Sequence, residues 1–166
     1  EYDTAYFDKG PKFLHYRPKS LLCTSLEYDH ADIYPSVDAI VARFAELMSL
    51  VPADGHIVLC AEEPHLMKAR AMAPVKARVE TYGARGTYDA KNVVEDADGV
   101  RFTVTSAGSG GGSLMSGFGG GDEGDVRLPL SGRHNVLNAL GAYAILTGLG
   151  LTHDEMICCP SYEAER

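Results

Sequence analysis

Three polar side chains within five residues carry the first chemical signal in this chain. The stretch Gly132-Arg133-His134-Asn135-Val136-Leu137-Asn138-Ala139 places His134, Asn135 and Asn138 at i, i+1 and i+4. Val136, Leu137, Leu140, Tyr143, Ala144 and Leu146 follow at helical spacing and would bury one face. The polar trio therefore falls in the first turn of a helix spanning 131–149, with Ser131 available as its cap. Asn is a poor interior helix residue, because its amide competes for backbone hydrogen bonds. Two amides and an imidazole at the positive end of a helix suit a flat, hydrogen-bonding ligand such as a nucleobase. The same residues can also be plain capping groups, since polar first turns are common. Chemistry alone leaves both readings open.

A second constellation lies about a hundred residues earlier. Leu21-Leu22-Cys23-Thr24-Ser25-Leu26 reads as a buried strand and empties into Glu27-Tyr28-Asp29-His30-Ala31-Asp32. Ligands in open α/β sheets sit just beyond the carboxyl ends of the strands. One imidazole among three carboxylates at that place suits a divalent cation with its phosphate. The ordinary alternative for His30 is a solvated loop histidine. The Gly- and Ser-rich stretch 107–124 invites a phosphate-loop reading, but no Gly-Lys-Ser/Thr follows it and no helix starts at its end. Its composition cannot bury a core, so 108–124 reads as a flexible, functionally neutral hairpin tip.

The elements that must position these residues alternate. After a strand at 20–26, Ser36 caps a helix over 36–51 with Val37, Ile40, Val41, Phe44, Leu47, Met48 and Val51 on one face. His56–Cys60 is a second buried strand, 62–71 a weakly amphipathic helix, and 75–82 a third strand. Strands alternating with helices imply parallel pairing and right-handed crossovers. Tyr88–Val94, Val100–Thr105 and Val126–Leu130 follow without helices, as an antiparallel meander with Asp98-Gly99 as a hairpin signal. The fold class is α/β: a mostly parallel sheet flanked by helices, with a small antiparallel meander at one edge. Tyr6, Phe7, Phe13 and Tyr16 are expected to pack rather than bind.

Composition sets the outer bounds. The 166 residues suffice for one domain, and 45% hydrophobic with 23% charged residues is ordinary for a globular protein. A net charge of −8 opposes general binding to nucleic acid or an anionic membrane. No apolar run approaches the ~20 residues of a membrane helix. Cys23, Cys60, Cys158 and Cys159 form no C-x-x-C pair, and buried reduced thiols in a cytoplasmic protein are expected. The chain opens inside a motif without Met, which suggests a piece of a longer protein.

In this order, the two constellations resemble the central domain of the Mur ligases. Glu1-Tyr2-Asp3-Thr4-Ala5, Phe7-Asp8-Lys9, Lys12-Phe13, His15-Tyr16, Pro18 and Leu26 to Ile33 are most similar to the murein-recycling branch, which joins a murein peptide to UDP-N-acetylmuramate. The UDP-N-acetylmuramate–L-alanine ligase branch shares the Asp-His and Gly-Arg-His-Asn patterns. The resemblance implies part of an ATP- and magnesium-dependent amide ligase of peptidoglycan recycling, acting through an acyl phosphate. Residues 1–150 would be a partial ATP-binding central domain. Residues 151–166 would be a terminal segment in which Thr152 and Glu155 start a further helix.

Residue by residue, the resemblance assigns His30 to magnesium. It assigns His134, Asn135 and Asn138 to the adenine of ATP, and Glu1 to the UDP-sugar side of the cleft. There are departures: Ser25 replaces an asparagine, the helix 36–51 holds no lysine, and no Gly-Lys-Thr/Ser loop is present. The chain by itself is therefore expected to be inactive. The reading from another class is a non-catalytic α/β module binding a nucleotide or a partner.

Overall fold

The computed structural model describes residues 11–28, 34–107 and 122–157. A 3-10 turn at Lys12–His15 leads into β1 (Ser20–Cys23), α1 (Val37–Leu50), β2 (His56–Cys60), α2 (Pro64–Met72) and β3 (Arg78–Tyr82). Then come β4 (Tyr88–Asp96), β5 (Gly99–Ser106), β6 (Asp122–Leu128), α3 (Arg133–Gly148) and α4 (His153–Ile157). The six strands form one sheet in sequential order. β1 to β3 pair in parallel, while β4, β5 and β6 pair antiparallel.

All five residues of β2 are buried, so this strand needs cover on both faces. The crossover helices α1 and α2 pack on each other and cover one face, as successive right-handed crossovers must. α3 lies across the other face, touching β1 through β5. Side chains of β2 and β3 divide accordingly. His56 and Tyr82 face α3, where a Cβ on Gly148 or Gly141 would overlap their rings. Ile57 and Leu59 are fully buried and point the opposite way.

Local chemistry explains the element ends. The Ser36 hydroxyl accepts from Ala39 N–H at 3.3 Å and caps α1, whose Ile40, Val41, Ala45, Leu47 and Met48 are buried. Phe13 packs on Phe44 with ring centroids 5.4 Å apart. Tyr16, expected to pack, is instead 70% exposed. Tyr6 and Phe7 lie outside the described residues. Cys23 and Cys60 are buried free thiols, and burial pushes the Cys23 thiol up to about 12. Thr152 and Glu155 form the expected capping box: each backbone N–H donates to the other's side-chain oxygen, at 2.8 and 3.4 Å. α4 then sets His153 between Gly124 of β6 and the Tyr143 hydroxyl of α3.

Several expected boundaries move. The first strand ends at Cys23 and not at residue 26, and the third begins at Arg78, after Pro74 and a turn from Ala73 to Val75. β6 takes up Asp122–Leu128, so residues 122–124 belong to a strand and not to the expected loop. The rest of that loop, 108–121, lies outside the described residues. The hairpin loop is Ala97-Asp98, one residue earlier than Asp98-Gly99, because Gly99 already pairs with Asp96. Gly99, at φ +130°, serves a different purpose: the Leu128 carbonyl on β6 occupies the place of a Cβ.

The join between the two halves of the sheet lies at the carboxyl edge of the parallel strands. β3 and β4 share a single parallel pair, Tyr82 with Tyr88, the last residue of one strand and the first of the other. Thr81 and Thr87 exchange backbone-to-hydroxyl hydrogen bonds at 3.3 and 3.2 Å across this short loop. β4 thus continues in the direction of β3, and the meander extends past the carboxyl ends of the parallel strands.

At the opposite end of β2, the His56 Nε2 lies 2.7 Å from Glu80 Oε2, which also accepts from Arg78 Nη2 at 2.6 Å. The other ring nitrogen of His56, Nδ1, is buried beneath Gly148 and has no hydrogen-bond partner among the described residues. Burial opposes ionisation of Glu80, but the hydrogen bonds from His56 and Arg78 outweigh it and hold the carboxyl below its ordinary value. A depressed folded pKa gives stability that is present above the unfolded value of ~4.3 and is lost as pH falls through the folded value.

Glu80→Gln is therefore expected to lower the unfolding free energy at pH 7, measured by urea denaturation, by roughly 2–4 kcal/mol. It should also flatten the loss of stability below pH ~4.3. An unchanged acid profile would show that Glu80 is not the linked group. Gly148→Ala should cost about 1–3 kcal/mol by driving a methyl into the locked His56 ring. In a double-mutant cycle with His56→Ala, most of that cost should vanish; strict additivity would contradict the packing described.

Candidate nucleotide-binding edge

α3 runs antiparallel to β2. Its last residue, Gly148, sits over His56 at the start of β2, and its first residue, Arg133, reaches Glu62 just beyond the end of that strand. The positive end of the helix therefore stands at the carboxyl edge of the parallel strands, where ligands of open α/β sheets collect.

The first turn is not capped as the sequence suggested. Gly132, and not Ser131, is the N-cap, with φ +100° and no side-chain cap. A glycine takes that backbone without strain. Ser131 contributes its carbonyl, which accepts from Asn135 Nδ2 at 2.8 Å. The Gly132 N–H donates to Glu95 Oε1 at 2.9 Å, from β4. Glu62 grips twice: Oε1 accepts from Ala84 N–H at 2.9 Å, and Oε2 pairs with the Arg133 guanidinium. The Ala84 N–H and then Arg133 hold the Glu62 carboxyl below its ordinary range. Asp89 beside it accepts from Ala90 N–H and pairs with Lys91. These groups rim a cavity of about 190 Å³ floored by Val136 and Leu140.

The three polar residues of α3 gather on a different side. His134 and Asn138 are exposed one turn apart, away from the buried Val136, Leu140 and Ala144, and Asn135 is half-buried between them. No hydrogen bond joins the His134 or Asn138 side chain to another of the described residues. The structure brings the trio together as one solvent-facing patch and does not aim it into the cavity. Glu1 and His30 both lie outside the described residues. Among the described residues, no three His, Cys, Asp or Glu side chains converge as a metal site.

Sequence reasoning overlooked Glu62, Glu95 and the use of Arg133. Glu62 had a weak signal, a carboxylate directly after a buried strand and ahead of a Pro-initiated helix. Glu95 had none, because only the meander's register brings it within reach of α3.

The fold is an open α/β domain, a class whose ligands collect beyond the carboxyl ends of the strands. The chain belongs to the Mur ligase family: the family described as Mur ligase middle domain matches residues 9–146. It is 33% identical over 151 residues to a UDP-N-acetylmuramate–L-alanyl-gamma-D-glutamyl-meso-2,6-diaminoheptandioate ligase of Escherichia coli, covering 91% of this chain and 30% of that protein. It is 36% identical over 143 residues to a UDP-N-acetylmuramate–L-alanine ligase of Rubrobacter xylanophilus, covering 86% and 28%. Among solved structures, the UDP-N-acetylmuramate:L-alanyl-gamma-D-glutamyl-meso-diaminopimelate ligase from Neisseria meningitides superposes with a TM-score of 0.74 at 35% identity, covering 92% of this chain and 42% of that one. The chain thus spans less than a third of the length of these curated relatives. No helix among the described residues is long and apolar enough to cross a membrane.

Proposed function

We propose that this chain is the nucleotide-facing part of a cytoplasmic, ATP- and magnesium-dependent ligase that joins a murein peptide to UDP-N-acetylmuramate in peptidoglycan recycling. The observation that carries the reading is the polar first turn of α3, set at the carboxyl edge of a Mur ligase middle domain. ATP supplies the phosphoryl group that activates the carboxylate as an acyl phosphate for attack by the amine. The chain's own residues have positioning roles. Asn138 and Asn135 offer amide groups to the edge of the adenine, and His134 lies beside them. Asn135 keeps its oxygen free to accept, since its nitrogen is committed to Ser131. His30 takes the magnesium role and Glu1 the UDP-sugar side. A second reading, a UDP-N-acetylmuramate–L-alanine ligase, is favoured by the 36% identity to the Rubrobacter protein. Activity assayed with L-alanine against the tripeptide separates the two.

In the full-length protein, Asn138→Ala and His134→Ala should each weaken ATP binding, between a few-fold and about a hundredfold, with the fold intact by circular dichroism. His30→Ala should lower turnover more than ATP affinity, as expected for a group acting on phosphates in the transition state. The 166-residue chain alone, which holds no Gly-Lys-Thr/Ser loop, should bind ATP weakly and no better than adenosine. Calorimetry giving micromolar ATP binding well above that of adenosine would reveal a phosphate site within the chain and defeat this reading.

A further inference from the structure

The first turn of α3 has no cap of its own, yet it has two outside restraints. Gly132 offers no side chain, and its backbone N–H is taken by Glu95, 37 residues away on the meander. Arg133 is held by Glu62, whose second oxygen is tied to Ala84 N–H in the β3–β4 loop. The two carboxylates come from different parts of the sheet and converge on consecutive residues, immediately before His134.

Glu95 follows a register shift in β4 between Lys91 and Val94, where Asn92 adopts φ +51°. A bulge re-aims the side chains that follow it. We infer that Glu95 and Glu62 are positioning residues that fix the first turn of α3 so that His134 and Asn138 meet the nucleobase. Glu95 does this as a remote helix cap and Glu62 as a clamp on Arg133. The inference rests on the proposed nucleotide reading for its purpose and on the structure for its geometry.

A carboxylate replacing the missing cap fits the helix end electrostatically, since the first free N–H groups carry partial positive charge. The clamp and the cap act differently. Glu95 needs only an acceptor oxygen, which an amide also provides. Glu62 needs its charge for Arg133, but only an acceptor for Ala84. The two conservative variants should therefore behave oppositely, which a merely structural role would not produce.

The test uses the full-length protein and two readouts, amide hydrogen exchange at residues 132–136 and the separate ATP KM and kcat. Glu95→Ala should speed exchange at Gly132 and raise the ATP KM roughly three- to tenfold, with kcat changed less than twofold. Glu95→Gln should restore both to near wild type. Glu62→Gln should keep protection at Ala84 but raise the KM as Glu95→Ala does. If Glu95→Ala leaves exchange at 132–136 unchanged, or Glu95→Gln fails to rescue, the inference is overturned. If His134→Ala and Asn138→Ala raise the KM while Glu95→Ala does not, the positioning role falls and the nucleotide reading stands. If none of the three raises it, the nucleotide reading has failed and takes this inference with it.

Discussion

The height and tilt of α3 over the sheet are set at two points where the helix has no side chain. Gly141 lies against the Tyr82 ring and Gly148 against His56, each too close for even a methyl group. Backbone against ring allows little adjustment, because the rings themselves are held. Tyr82 is fully buried, and His56 is bound to Glu80 beneath the helix. Close-packed interiors transmit such constraints rather than absorbing them. The distance from Gly148 back to His134 is roughly 20 Å along the helix. A small tilt at the glycine end would become a large displacement at the polar turn, so the far end needs restraints of its own.

Those restraints mirror each other across β2. At the start of the strand, Glu80 is buried with His56 and also pairs with the exposed Arg78; beyond its end, Glu62 joins Arg133 in partial contact with solvent. A buried charge held on several sides is costly to disrupt, because removing one partner strands the other. A pair near the surface is screened and contributes far less to stability. The sheet is thus anchored hard at the end remote from the functional edge and more softly at that edge. The carboxylate of Glu62 is better understood as setting direction than as holding the fold together.

Much of this was legible in the sequence, for identifiable reasons. The apolar run of β2 and the helical periodicity of α1 gave their positions because burial dictates those patterns directly. The switch from alternating helices to consecutive short strands located the meander. Ser131 misled because a capping side chain in sequence is not evidence that the backbone presents it; the helix begins one residue later, on a glycine with positive φ. Asp98-Gly99 misled because Gly99 answers a steric demand from β6, a strand more than twenty residues further on. Asn135 and Asn138 stood out by their unusual placement in a helix, and the structure sets both in the first turns of α3. Glu95 did not stand out, since nothing local distinguishes it among the acidic residues of β4.

The two carboxylates also set the charge around the α3 terminus, where the proposed reading places the nucleobase. A bare helix N-terminus favours phosphate, through its free N–H groups and its partial charge. Here the Gly132 N–H is already occupied by Glu95, and Glu62 pairs with the Arg133 guanidinium of the first turn. A further anion brought to this turn would meet two negative groups and find the Gly132 N–H taken. A neutral heterocycle meets no such penalty, and the exposed amide of Asn138 can both donate to it and accept from it. Under the proposed reading, this end of the helix favours the base over the phosphates. The triphosphate charge must then be balanced by groups outside this turn.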